Sequence, residues 1–124
     1  MFSVNYRDPL PIYEQIKLKL QQMMLSGTFS ADTKLPSVRE LATQLAINPN
    51  TIQRAYRELE AEGLITSIPG KGSYPVDQEI LREKTLAQLY EELDGTVSKL
   101  LGLGITKDTL TAHILSTDKG GDQI

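Results

Sequence analysis

Residues 35–65 read LPSVRELATQLAINPNTIQRAYRELEAEGLI, and the fold turns on this stretch. Ser37-Val38-Arg39-Glu40 has capping-box spacing, in which a serine and a glutamate three residues on satisfy each other's free backbone N–H groups. A helix is therefore predicted to open at Ser37. Val38, Leu41, Ala42 and Leu45 give it one apolar face, and it ends near Ala46. A second helix follows almost at once. Asn48 is a good N-cap, and Pro49 suits the first helical position because its missing N–H would have no partner there. Ile47 and Ile52 occupy the two places of a hydrophobic staple. This helix runs to Ala61 or Glu62 and stops at Gly63. Ile52, Ala55, Tyr56 and Leu59 form its core face. At about 100° per residue, Asn50, Gln53, Arg54 and Arg57 point the other way.

Upstream, a helix is expected from about Pro11 to Ser26, with Pro11 in its first turn and Gly27 as its stop. Ile12, Ile16, Leu20 and Met23/Met24 form its stripe, and residues 28–36 read as a loop. Downstream, Leu64-Ile65-Thr66-Ser67-Ile68 is rich in β-branched residues, Pro69-Gly70-Lys71-Gly72 is a turn, and Ser73-Tyr74-Pro75-Val76 returns. This is a hairpin with a basic tip. Pro75 cannot donate to a ladder, so the return strand should be an edge. A long helix is predicted from about Asp77 to Leu101, broken by Gly102 and Gly104. A last helix spans about Thr106 to Leu115 with Thr106 as N-cap. The polar end from Ser116 to Ile124 is expected to fray.

Bulk properties narrow the possibilities. The chain has 124 residues and no cysteine, which rules out disulfides, thiol catalysis and cysteine-ligated zinc and suits the cytoplasm. The start MFSVNYRDP lacks the regions of a signal peptide, and no stretch approaches the ~20 apolar residues of a membrane span. The net charge of −3 hides an asymmetry. Residues 1–76 carry eight Lys/Arg against seven Asp/Glu, whereas residues 77–124 carry five against nine. The acid sits in the tail, and the front half is free to present a basic face.

Helix, short helix, tight turn, capped helix, basic hairpin is the order of a winged helix-turn-helix. A helix fits the major groove of B-DNA, and its first residues reach base edges. Asn48, Asn50, Thr51, Gln53 and Arg54 supply the small polar and basic side chains such a helix needs. Asn and Gln pair with adenine, and Arg pairs with guanine. A tip with Lys71 between Gly70 and Gly72 can approach a phosphate backbone closely.

On these residues the chain resembles the GntR family of bacterial regulators. The run LPSVRELATQLAINPNTIQRAYRELEAEGLI, the later GKGS and the earlier PIYEQIKLKLQQMMLSG carry the likeness over residues 11–74. The short two-helix tail is similar to the YtrA-like subfamily. The resemblance implies DNA contacts from Arg39 in the second helix, from Asn48, Asn50, Thr51, Gln53 and Arg54, and from Gly70 and Lys71 at the wing. Two departures stand out. Tyr74-Pro75-Val76 replaces a Phe-Val pair, which bears on the pairing of the second wing strand. Ser30-Ala31-Asp32 replaces a Pro-Gly pair, which should alter only a turn.

Plainer readings compete at several positions. Arg39 is either a solvated arginine or a DNA contact on its chemistry alone. Arg54 and Arg57 could pair with Glu58 or Glu60, with Arg57 the more readily structural or phosphate-bound. Gly70-Lys71-Gly72-Ser73 lacks the spacing of a nucleotide-binding loop, and His113 stands alone. No catalytic set assembles, so no enzyme, cofactor or metal is expected. In the tail, Leu86, Leu89, Tyr90, Leu93, Val97, Leu100 and Leu101 line one side of the long helix. They could pack on their own chain or meet a second copy. Two helices cannot easily bury seven large side chains, so dimerisation is the better account.

The expectation is therefore a mainly α protein with a small β-hairpin. Residues 1–76 form a winged helix-turn-helix, and residues 77–124 form a helical dimerisation tail. The expected partners are double-stranded DNA and a second copy of the chain, with room for an unidentified small-molecule effector and no membrane. The expected function is a sequence-specific regulator, a repressor acting as a homodimer on a pseudo-palindromic operator. The alternative is a winged-helix interaction module that binds no DNA.

Overall fold

A computed structural model of the protein describes residues 2–117. In chain order the elements are α1 (Ile12–Leu25), α2 (Val38–Leu45), α3 (Pro49–Ala61), β1 (Ile65–Ile68), β2 (Gly72–Pro75), α4 (Gln78–Gly102) and α5 (Lys107–Ser116). The chain divides into two compact units, one up to Thr85 and one from Leu86 onward. Residues 118–124, most of the end expected to fray, lie outside the described residues.

Local signals account for most helix ends. The capping box at α2 is complete: Ser37 accepts from Glu40 N at 3.0 Å, and Ser37 N donates to Glu40 Oε1 at 2.8 Å. At α3, Asn48 Oδ1 accepts from Asn50 N at 2.8 Å, and Pro49 holds the first helical position. Its end closes with Leu64 N donating back to Leu59 O at 2.9 Å, a Schellman bond that Gly63 permits with φ +78°. The same bond ends α2, from Ile47 N to Ala42 O, but there Ala46 takes the left-handed position at φ 55°. Pro11 differs from expectation. It is the N-cap of α1, one residue before the helix, and makes no side-chain cap. Order at this end comes from Gln15, whose amide accepts from Asn5 N and donates to Asn5 O, both at 2.8 Å.

The core of the first unit joins Ile16, Leu20 and Met24 of α1, Leu41 and Ala42 of α2, and Ile52, Ala55, Tyr56 and Leu59 of α3 to Leu35, Leu64, Ile65 and Leu81. Tyr56 is the one member with a polar tip, and its hydroxyl donates to Pro36 O at 2.5 Å. Leu81 belongs to the long helix that was expected to serve the tail, yet it is fully buried here. Two hydrogen bonds fasten the first turns of α4 beside it: Gln78 Nε2 donates to Leu25 O and Gln21 Nε2 donates to Thr85 Oγ1, both at 2.9 Å.

The hairpin pairs antiparallel from Ile65↔Pro75 to Ile68↔Gly72, so Pro75 does not shorten the ladder. Its missing donor costs nothing where it ends the strand. The outer side of β2 is not wholly bare, because Leu35 N donates to Ser73 O at 2.8 Å. In the second unit, α5 is capped by Thr106, which accepts from Thr109 N. Among the described residues after Leu81 no side chain is buried.

Candidate nucleic-acid interface

The first turn of α3 combines a side-chain cap with exposed polar groups. Asn48 spends its carbonyl oxygen on the cap, and its side-chain N–H groups are left to donate outward. Asn50, Gln53, Arg54 and Arg57 are exposed on the side away from Ile52, Ala55 and Leu59, and Thr51 is half-buried among them. Arg39 is exposed in the first turn of α2.

Arg54 and Arg57 differ in their partners. Arg54 is the paired one. Its Nε donates to Glu58 Oε2 at 3.1 Å, and its guanidinium carbon lies 3.7 Å from the centre of the Tyr13 ring. No ion pair of Arg57 occurs among the described residues. The physical reason is the neighbour across the helix pair: α1 places Tyr13 next to Arg54, and a planar guanidinium stacks well on an aromatic face. Glu58 is shared. Its other oxygen binds Lys17 Nζ at 3.0 Å, and Lys17 also binds Glu62 at 2.6 Å. Hydrogen bonds from Lys17 and Arg54 hold the Glu58 carboxyl below its ordinary range. Burial alone would lower the Lys17 pKa, but the bonds to Glu62 and Glu58 outweigh it and raise the ammonium's pKa.

The wing turn follows from its residues. Pro69 and Gly70 take the two central positions of a type II turn, where the second demands positive φ; Gly70 has +77°, and Lys71 N donates to Ile68 O at 2.9 Å. Gly72 also has a positive φ, +126°, which disfavours any residue with a Cβ. A Cβ there would lie 2.5 Å from Lys34 Cε, so the lysine stem runs directly over the wing backbone. The result is a cleft lined by residues 34–38, Tyr56 and residues 67–73, with Lys34 and Lys71 both on its walls. Gly70 and Lys71 are exposed and Gly72 is half-buried. At the mouth of α2, backbone and hydroxyl contacts of Ser37 keep the Glu40 carboxyl low. Burial, with Glu40 nearby, pushes the Tyr56 hydroxyl up, so it stays a neutral donor.

Sequence reasoning named Glu58 as a possible partner of Arg54, four residues away, but missed Lys34, Tyr13 and Lys17 as parts of this surface. Their partners lie far along the chain, and no local spacing announces them. The lysine before LPS and the tyrosine of PIYEQI were the available signals.

In the second unit, Leu86, Leu89, Tyr90, Leu93 and Leu101 are exposed along α4, and Val97 and Leu100 are half-buried. Leu103, Ile105, Ile114 and Leu115 add exposed apolar surface beyond the seven expected residues.

Residues 12–74 match the family model of bacterial regulatory proteins, gntR family. The chain belongs to the GntR family. Its relatives place it in the YtrA-like branch. It is 37% identical over 126 residues to the HTH-type transcriptional repressor YtrA of Bacillus subtilis, covering 98% of this chain and 97% of that one. A GntR family transcriptional regulator from Listeria monocytogenes superposes with a TM-score of 0.66 at 39% identity, over 90% of this chain and 99% of that one. The DNA-binding domain of AraR, solved in complex with its operator ORX1, matches 61% of this GntR chain and 100% of its own length at 26% identity and TM-score 0.54. The chain is thus a DNA-binding transcriptional regulator, and its relatives are regulators, not enzymes. No helix among the described residues is long and apolar enough to cross a membrane.

Proposed function

We propose that this GntR regulator is a cytoplasmic repressor that binds a pseudo-palindromic operator as a homodimer. The observation that carries the reading is the capped first turn of α3 with its exposed polar side, next in the fold to a wing whose tip holds lysine between glycines. Asn50, Gln53 and Arg54 reach base edges. Asn48, Thr51, Arg39 and Arg57 meet phosphates or flanking bases. Gly70, Lys71 and Gly72 bring the wing backbone close to the duplex, and Lys34 adds a second phosphate-neutralising cation at the cleft. Residues 1–76 do the reading and residues 77–124 tie two copies, with Leu81 anchoring the start of the tail helix to the reading unit. The stripe from Leu86 to Leu101 is the seam, and two-fold symmetry then presents two copies of α3 to two half-sites.

The test is a salt titration of binding to random duplex DNA. Affinity should fall steeply as salt rises, and Lys71→Ala and Lys34→Ala should each flatten the slope by roughly one unit. Binding that ignores salt would overturn the reading.

A further inference from the structure

Arg54 is held on two sides in the free protein. Tyr13 lies under its plane and Glu58 takes its Nε. Glu58 cannot swing away readily, because Lys17 occupies its second oxygen. Lys17 is buried and anchored again by Glu62. The chain of contacts runs from α1 to one guanidinium on the exposed side of α3.

The chemistry of that guanidinium limits what it can do. An arginine has five N–H donors in a rigid fork, and Glu58 uses only the one at Nε. The two terminal Nη groups have no protein partner among the described residues, and the side chain is 53% exposed. Two parallel N–H donors at the free end suit the paired O6 and N7 acceptors of guanine. A long side chain loses rotamer freedom on binding, and that loss weakens it as a reader. Here the freedom is already removed.

We propose that Tyr13, Glu58 and Lys17 form a positioning frame that presents the free edge of Arg54 to a guanine, so that residues touching no base set the base preference at that position. The inference rests on α3 as the recognition helix. A mere fastening between α1 and α3 would need only the Lys17 links to Glu58 and Glu62. It would not need an exposed arginine stacked on a ring with its fork turned free.

The experiment selects duplexes from a random library with the full chain. It then measures affinity for the selected sequence, for point-substituted versions and for random duplex. The variants are Arg54→Ala, Tyr13→Leu, Tyr13→Phe and Glu58→Gln. The parent should prefer guanine at one position of each half-site by about tenfold or more, a preference that Arg54→Ala abolishes. Tyr13→Leu and Glu58→Gln should each reduce that preference about three- to tenfold. Their affinity for random duplex should equal or exceed the parent's. Tyr13→Phe keeps the ring and should keep the preference. If Arg54→Ala erases the preference while Tyr13→Leu and Glu58→Gln keep it whole, the frame is overturned and the reading of α3 stands. A fall in random-duplex affinity parallel to the loss of preference would also overturn the frame, since it would mark a structural role. If Arg54→Ala changes nothing, or no sequence is selected, the frame and the reading of Arg54 fall together.

Discussion

The two units use the same kind of side chain to opposite ends. Up to Thr85, large apolar residues from three helices, the hairpin and the start of α4 meet in one core, and nine of them are fully buried. From Leu86 onward, Leu86, Leu89, Leu93 and Leu101 stand exposed along α4, while Val97 and Leu100 are half-buried. The contrast falls within one helix: Leu81 is fully buried, and Leu86, five residues on, is 40% exposed. Apolar periodicity states which side of a helix wants cover. It does not state what covers it. An isolated exposed leucine would need no account, whereas a run of them is what the proposed seam between two copies would cover.

Replacing one leucine on each side of the boundary gives the largest effect. Leu81→Ala should cost the first unit about 2–5 kcal/mol, as large-to-small changes in a closed core do. Leu89→Ala should change the stability of dilute protein by less than about 0.5 kcal/mol. Urea unfolding of both variants checks this. A cost below about 1 kcal/mol for Leu81→Ala would remove α4 from the core. The next effect belongs to the tail. Leu93→Asp would bury an unpaired carboxylate in the proposed seam and should weaken self-association by about 100-fold, or roughly 3 kcal/mol. The first unit should melt unchanged. Sedimentation equilibrium distinguishes the outcomes, and a monomeric parent or an unaffected variant would remove α4 from the interface.

A smaller change sharpens the picture within the first unit. Ala46 adopts a left-handed conformation that costs a residue with a Cβ about 1–2 kcal/mol, while glycine adds entropy to the unfolded chain. Ala46→Gly should therefore raise stability by about 0.5–1 kcal/mol, read as a higher urea midpoint. The smallest effect is pH dependence. Glu58 is held below the ordinary 4.5, so its contribution is present above that value and lost as pH falls through the lower folded one. Lys17 is held above the ordinary 10.5, so its contribution is present below that value and lost as pH rises through the higher folded one. Glu58→Gln should make acid unfolding of the first unit less steep. An identical acid limb in parent and variant would dismiss the network as a source of stability.

What the sequence determined by itself was local. The Ser37 box, the Asn48 and Thr106 caps, the stops at Gly63 and Gly104 and the apolar face of α3 join residues within about a turn or two of one another. Short-range sterics and hydrogen bonding settle such features before any packing occurs, and they were enough for the order of elements and for the exposed polar side of α3. Only the tertiary structure decided the rest. Tyr13 under Arg54, Lys17 between Glu58 and Glu62, Lys34 over Gly72 and Leu35 on Ser73 bring together residues some 40 positions apart, a separation at which no spacing rule operates, and Leu81 joins a core drawn from the whole first unit. Arg54 shows the difference in one side chain. Its place on the outer side of α3 and its reach to Glu58 follow from counting along a helix, whereas the ring under its fork and the lysine that holds Glu58 arrive only when α1 packs against α3.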